Sequence, residues 1–211
     1  MNRKENNVPE SHDAMNATQR AVKRIIDITG SATALLFLWP LILVLIVMLK
    51  LQHNGPAIFS QERIGKDGKP FTIYKFRTMS KDSEKDGPQL VPHTEGAAST
   101  DLERFLRDHH LDELPQLWNV LCGDMSIVGP RPERQFFIEK IMEHDSRYPI
   151  IYEMRPGLTS EATLYNGYTD TMEKMLKRLD MDIHYLETRS LMGDFKIMAN
   201  TALSIVSGKK F

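Results

Sequence analysis

Ile28–Leu49 reads ITGSATALLFLWPLILVLIVML, 22 residues without a charged side chain. As an α-helix at ~1.5 Å per residue the run measures about 33 Å, long enough to cross a hydrocarbon core of ~30 Å. A buried helix of a soluble domain is the competing reading, but a run this long and this apolar is rare in a chain of 211 residues. A cleaved leader fits poorly, because a long polar arm precedes the run and no small-x-small cleavage site follows it. The stretch therefore reads as a membrane anchor.

Two features divide the reading of its topology. Pro40, in the middle of the run, lacks a backbone donor and clashes with the carbonyl of Leu36, so the helix must bend or break there. Basic residues flank both ends, Arg20, Lys23 and Arg24 before and Lys50, Arg63, Lys66 and Lys69 after. Lys and Arg favour the cytoplasmic side. Both ends asking for that side is the pattern of a helix that dips into one leaflet and returns; a kinked spanning helix explains the proline equally well. Asp27, next to the basic cluster, is expected to pair with Lys23 or Arg24.

Outside the anchor the composition is ordinary. Net charge is −1, which argues against general nucleic-acid binding. The single cysteine, Cys122, excludes an intrachain disulfide and reads as a buried structural thiol. A mobile polar tail over 1–19, a membrane segment over 20–52 and one cytosolic domain over 53–211 follow from the polarity profile. Asn54-Gly55-Pro56 is a turn signal. Two apolar-rich runs around Lys66-Asp67-Gly68-Lys69 predict a β-hairpin. Residues 79–100 form a long polar loop of the kind that serves as a lid or substrate loop. A helix over Asp101–Asp108 has Thr100 as its N-cap, and Asp112 is expected to cap a second short helix that tolerates Pro115 and ends at Gly123. Gly129-Pro130-Arg131-Pro132 is stiff and extended, and 133–145 reads as helix. Met172, Met175, Leu176, Leu179, Ile183 and Leu186 form one amphipathic stripe. A last helix, capped by Asp194 and ending at Gly208 beside Lys209 and Lys210, carries another. Both stripes suit core packing; lying along a membrane surface is the alternative.

Chemistry is expected around Asp112-Glu113. Adjacent carboxylates on a helix do not face one another, and the dipeptide alone is a weak signal. Its surroundings strengthen it: Arg107, Arg131 and Arg155 follow or precede closely, two of them beside prolines that stiffen the backbone. Guanidinium forks match phosphate oxygens, and Mg²⁺ favours one or two carboxylates plus substrate phosphates. His109-His110 cannot converge on one ion and read as surface or supporting histidines. No P-loop, dinucleotide fingerprint or zinc spacing is present.

Four blocks carry a family resemblance: Tyr74-Lys75-Phe76-Arg77-Thr78-Met79, Leu111 to Val120 (LDELPQLWNV), Gly123 to Glu133 (GDMSIVGPRPE), and Arg155-Pro156-Gly157-Leu158-Thr159. In this order and spacing, together with the apolar segment, they make the chain similar to the bacterial sugar transferase family over roughly residues 20–208. It resembles the small monotopic phosphoglycosyl transferases that start polysaccharide and glycoconjugate assembly. Two stretches depart from the pattern: Trp39 stands where a small residue often precedes the helix-breaking proline, and Ser160-Glu161-Ala162-Thr163 follows the last block.

The resemblance implies an α+β fold, mainly helical with a small β-hairpin. It also implies an N-terminal re-entrant helix–break–helix, broken at Trp39-Pro40, on one cytosolic catalytic domain with amphipathic interfacial helices. The implied reaction moves a sugar-1-phosphate from a UDP-sugar to a polyprenyl (undecaprenyl) phosphate at the cytoplasmic face of the bacterial inner membrane, releasing UMP. Asp112 would be the nucleophile of a covalent step, and Glu113 would hold Mg²⁺ with it or handle a proton. Arg107, Arg131 and Arg155 would bind phosphate, with Lys75 and Arg77 as further candidates. Membrane lipids are implied partners, nucleic acid is not, and a homodimer is left open, as are the sugar and the glycan pathway. A membrane-anchored glycoside hydrolase or a non-catalytic scaffold are the rival classes. Release of UMP from a UDP-sugar only with polyprenyl phosphate would separate the three.

Overall fold

The computed structural model describes residues 12–52, 55–78, 100–167 and 169–207. The first part of the expected tail (1–11), Asn54 of the expected turn, the long loop (79–99) and the expected stop at Gly208-Lys209-Lys210 lie outside the described residues.

One helix, α1 (Ala17–Gln52), contains the whole apolar run. Its start is set by a reciprocal cap: the Asn16 side chain accepts from Gln19 N at 2.9 Å, and the Gln19 side chain accepts from Asn16 N at 3.0 Å. Pro40 lies inside α1, and the two-segment form expected at Trp39-Pro40 is not what the structure shows. A proline deletes one intrahelical hydrogen bond and leaves those on either side, which bends a helix without obliging it to end.

The residues before and early in α1 are not loose. Met15 is buried, Ala14 N donates to Leu186 O at 3.0 Å, and Asp13 is held by Arg189 at 2.6 Å and Arg20 at 2.8 Å. The mobile tail expected as far as residue 19 therefore does not extend over 12–19. The predicted pairing of Asp27 with Lys23 or Arg24 is also replaced. Lys23 reaches Asp194 at 2.6 Å, Arg24 donates to the carbonyls of Val120 (2.7 Å) and Leu121 (3.0 Å), and Asp27 accepts from Ile127 N at 2.9 Å. A pair within one helix contributes only ~0.2–0.5 kcal/mol, whereas buried backbone donors and acceptors of the packed domain require partners. At the far end, Leu45 and Leu49 are buried against Phe76 and Leu106. Between these docked ends the apolar side chains are open, Leu36 67 % and Phe37 75 % exposed.

The rest is built from short elements. Strands β1 (Ile58–Ile64) and β2 (Pro70–Phe76) pair antiparallel as predicted, joined by a tight turn with Asp67 and Gly68 at positive φ. Helix α2 (Asp101–Asp108) starts at Thr100 with a capping box to Glu103. A 3-10 turn at Leu111–Glu113 leads to α3 (Gln116–Cys122), which stops at Gly123 with φ 100°. Then come β3 (Ser126–Val128), α4 (Gln135–Met142), a 3-10 stretch at Tyr148–Glu153, β4 (Gly157–Thr159), α5 (Glu161–Asn166), α6 (Met172–Thr188) and α7 (Leu191–Ser207). The unpredicted feature is a parallel ladder between β3 and β4. The two backbones approach so closely that a Cβ on Gly129 would strike Arg155 O, and one on Gly157 would strike Gly129 N. Only glycine permits that contact.

The main core joins Phe137, Ile138 and Ile141 of α4 to Met175, Leu179, Ile183 and Leu186 of α6, with Ile151 and Ile197. The α6 stripe thus packs on the core. Helix α7 buries Ile197 but leaves Met192, Phe195 and Leu203 exposed. Asp194 is not its cap: the helix begins at Leu191, and the Asp194 carboxylate is occupied by Lys23 and by Tyr185 Oη at 2.5 Å. Cys122, expected buried, is exposed at the end of α3, whose buried side carries Leu117 and Val120.

Asp182 of α6 is buried in this core. Burial pushes its carboxyl up to about 7; Arg178 opposes the rise and Glu133 adds to it. The unfolded chain releases the same proton near its ordinary value of about 3.9. The stability contributed by neutral Asp182 is therefore complete below about pH 4 and lost as pH rises toward 7, on the order of 4 kcal/mol in total. Thermal melts of wild type and Asp182→Asn from about pH 4 to about pH 8 test this. The variant should gain on wild type as pH rises, and parallel curves would refute it.

Candidate active site

The site is built around Asp112 and Glu113 in the 3-10 turn that precedes α3. The turn is entered through His110, a non-glycine residue with φ 52°. The main chain closes it by hydrogen bonds from Glu113 N to His110 O (3.3 Å) and from Leu114 N to Leu111 O (3.2 Å). Asp112 was expected to cap the following helix. Instead α3 begins after Pro115 with no side-chain cap, because proline supplies a helical φ without needing a cap for its missing donor. The Asp112 carboxylate is thereby left for other work.

Glu113 is buried and bridged from two directions. Lys75 Nζ, on β2, lies 2.6 Å from Oε1, and Arg131 reaches the same oxygen at 3.4 Å. Burial alone would raise the Glu113 carboxyl, but Lys75 and Arg131 outweigh it and hold it below the ordinary carboxylate range. Asp112 has the opposite balance. Burial pushes its carboxyl up to about 6, with Lys75 and Arg131 opposing and Glu113 adding to the rise. Among the described residues the Asp112 side chain forms no ion pair. Burial also lowers the His110 imidazole, with Glu113 opposing and Arg131 and Lys75 contributing. Neutral imidazole is the favoured form there.

Each charged residue is aimed by a neighbour. The Asn119 side chain accepts from Tyr74 N at 3.2 Å and donates to Thr72 O at 2.7 Å, so it ties α3 to β2 on either side of Ile73. That staple sets the register of Lys75 over Glu113. Arg131 stands between Pro130 and Pro132, and Glu133 beyond it is gripped by Arg63 at 3.2 Å and by Arg178. Asn119, Glu133, Arg63 and Arg178 were not singled out as site residues from the sequence; Arg63 was read only as a basic flank of the apolar run. Their one signal there was membership of the same motif blocks, for Asn119 and Glu133; Arg63 and Arg178 carry none.

The other predicted phosphate ligands do not all converge. Arg107 donates to the Thr78 carbonyl at the exit of β2. Arg77 donates through its backbone to Ala57 O at 2.8 Å, and its Nε is buried without a hydrogen-bond partner among the described residues. Arg155 is bound elsewhere: its Nε donates to Gly123 O at 2.9 Å, beside the Arg24 contacts at the end of α3. It caps helix carbonyls from that position, and no contact joins it to Asp112 or Glu113 among the described residues. His109 stacks on Phe105 at 4.2 Å. In the departing segment, Ser160 accepts from Thr163 N at 2.9 Å and so starts α5.

The donor set fits a hard divalent cation. Asp112 and Glu113 offer carboxylate oxygens, and no side-chain cation among the described residues pairs directly with Asp112. No third His, Cys, Asp or Glu joins them among the described residues. Such a set suits Mg²⁺ whose remaining ligands are phosphates and water.

The family model for bacterial sugar transferases matches residues 18–208. The chain is 40 % identical over 192 residues to the UDP-glucose:undecaprenyl-phosphate glucose-1-phosphate transferase of Caulobacter vibrioides, covering 88 % of this chain and 70 % of that protein. The Klebsiella pneumoniae protein of the same name is 37 % identical over 90 % of this chain and 41 % of its own length. The UDP-N-acetylgalactosamine-undecaprenyl-phosphate N-acetylgalactosaminephosphotransferase of Aeromonas hydrophila is 35 % identical over 89 % of this chain and 44 % of its own. The chain thus spans about two fifths of the length of two of these relatives.

Removing one partner of a buried pair costs roughly 3–5 kcal/mol, because the other charge is stranded. Lys75→Met should therefore destabilise the protein by that order. Lys75→Met/Glu113→Gln, which removes both charges, should recover part of the loss in thermal melts. A double variant less stable than Lys75→Met would show that the pair is not the source of the effect.

Proposed function

From the premise that the chain belongs to the bacterial sugar transferase family, we propose that it moves a sugar-1-phosphate from a UDP-sugar to undecaprenyl phosphate, through a covalent aspartyl intermediate, with release of UMP. The observation that carries this reading is the division of labour between the two carboxylates. Lys75 and Arg131 both serve Glu113, and Asp112 keeps an unpaired, more basic carboxyl beside them.

Ionised Asp112 attacks the phosphorus that bears the sugar. A new Oδ–P bond forms and the bond from that phosphorus to the UMP oxygen breaks, the electron pair leaving with UMP. A phosphate oxygen of the lipid acceptor then attacks the same phosphorus, and the Oδ–P bond breaks to restore the carboxylate. Dividing one displacement into two in this way lowers each barrier. Arg131 and Lys75 supply positive charge at the reacting phosphate, and Glu113 holds both at the required separation. Mg²⁺ held at Asp112 and Glu113 would offset diphosphate charge and favour departure of UMP. The hydrolase alternative loses support here, because Glu113 is locked by two cations and is poorly placed to act as an acid or base across a sugar. Relatives named for glucose and for N-acetylgalactosamine leave the sugar open.

The same reading includes a re-entrant anchor in the inner membrane with the catalytic domain facing the cytoplasm. Its support is that both flanks of the apolar run dock on one body. Asp13, Lys23, Arg24 and Asp27 bind α3, β3, α6 and α7 from one end, and Leu45 and Leu49 meet Phe76 and Leu106 from the other. A helix crossing the bilayer would put those ends on opposite faces of it, whereas the body they both contact lies on one.

Asp112→Asn should abolish UMP release and trap no labelled sugar phosphate while leaving the melting temperature near wild type; an active Asp112→Asn protein would sink the covalent step. For topology, His12→Cys in a Cys122→Ser background should resist an impermeant thiol reagent in intact cells and react after lysis. Labelling in intact cells would mean that the segment spans.

A further inference from the structure

Behind the proline-flanked segment, two guanidiniums close on one carboxylate. Arg63 of β1 donates to Glu133 Oε2 at 3.2 Å, and Arg178 of α6 donates to Oε1. The grip is anchored on both sides. Arg63 Nη1 also donates to Pro132 O at 3.1 Å, Arg178 Nη1 donates to Thr169 Oγ1 at 2.8 Å, and Ile64 N donates to Glu133 O at 3.0 Å. Glu133 and Arg178 are buried, and with Arg131, Tyr148 and Asp182 they line one tight crevice. Arg131 forms one wall of that crevice and also contacts Glu113 on the catalytic turn.

Arg131 therefore stands between two buried carboxylates, Glu113 and Glu133. Its contact with Glu113 is long, 3.4–3.5 Å, against 2.6 Å for Lys75. A guanidinium between two carboxylates is drawn more strongly to the one whose charge is less compensated. Glu133, two residues away, would draw Arg131 if its charge were not offset, since a buried carboxylate short of partners attracts the nearest cation. Arg63 and Arg178 take one oxygen each and offset its charge.

We propose that Arg63 and Arg178 are positioning residues for the transfer: by offsetting the charge of Glu133 they leave Arg131 directed at Glu113 and the substrate phosphates. The inference rests on the phosphosugar transfer proposed above. It differs from a purely structural ion-pair network in one respect. What matters for turnover is the charge balance on Glu133, so removing an arginine and the carboxylate charge together should do less harm than removing the arginine alone.

The experiment measures UMP release by the full-length protein with undecaprenyl phosphate and a UDP-sugar that the wild type accepts, alongside thermal melts. Arg178→Gln should lower kcat by about tenfold or more, the scale on which misdirected catalytic groups act. Arg178→Gln/Glu133→Gln, which leaves the net charge of the cluster unchanged, should recover most of that loss. Arg63→Gln, alone and with Glu133→Gln, should repeat the pattern. A single variant with wild-type turnover, or a folded double variant as slow as its single, would overturn the proposal. If the single variants do not fold, the doubles decide: near-wild-type kcat supports the proposal, and slow or unfolded doubles assign the cluster to stability alone. A wild-type protein that releases no UMP with any UDP-sugar would instead defeat the functional reading.

Discussion

The Glu113 carboxylate is the point on which the catalytic face depends. It is buried, so its charge must be compensated, and the compensation comes from two distant parts of the chain: Lys75 in the hairpin and Arg131 in the proline-flanked segment. Desolvation makes leaving it unpaired costly. That cost draws hairpin, catalytic turn and arginine segment together. The neighbouring Asp112 receives only indirect help from the same cations, which keeps it basic and uncommitted. Two chemically similar adjacent side chains acquire different roles from their surroundings, as pairs of carboxylates in enzymes often do.

Around that centre, rigidity is supplied by groups that touch no reacting atom. Asn119 bridges α3 to β2, and Glu133 with its two arginines fixes the chain just past Arg131. The glycines at 129 and 157 let β3 and β4 approach until no side chain fits between them. Short strands of three residues would be marginal alone; here they bind the two motif segments into one frame. Arg24 and Arg155 together cap the carbonyls at the end of α3, so the helix that follows the catalytic turn is held at its far end by the membrane helix and by the β4 approach.

Helix α1 is thus part of the domain as well as a segment long and apolar enough to enter a membrane. Its first turns are polar where they meet α3, β3 and α7, and its last turns are apolar where they meet the hairpin. Between them lies the exposed apolar stretch that lipid would cover. The exposed apolar side of α7 offers a second surface of the same character.

Local signals in the sequence determined a good deal. The hairpin followed from apolar-rich runs about Asp67-Gly68, α2 from its Thr100 cap, α6 from its apolar stripe, and the long apolar helix from uncharged length; each depends on residues a few positions apart. The pairing of Lys75 and Arg131 with Glu113 was anticipated only as a shared neighbourhood inferred from family blocks. The helix-end readings of Asp27, Asp112 and Asp194 failed for a common reason: a polar side chain near a helix end has a plausible local partner, and the sequence shows that partner and no other. Tertiary packing decided otherwise, because a buried N–H, carbonyl or charge costs more to leave unsatisfied than an exposed local contact returns. So Asp27 went to β3 and Asp194 to Lys23 and Tyr185, while Pro115 starts α3 without a cap from Asp112.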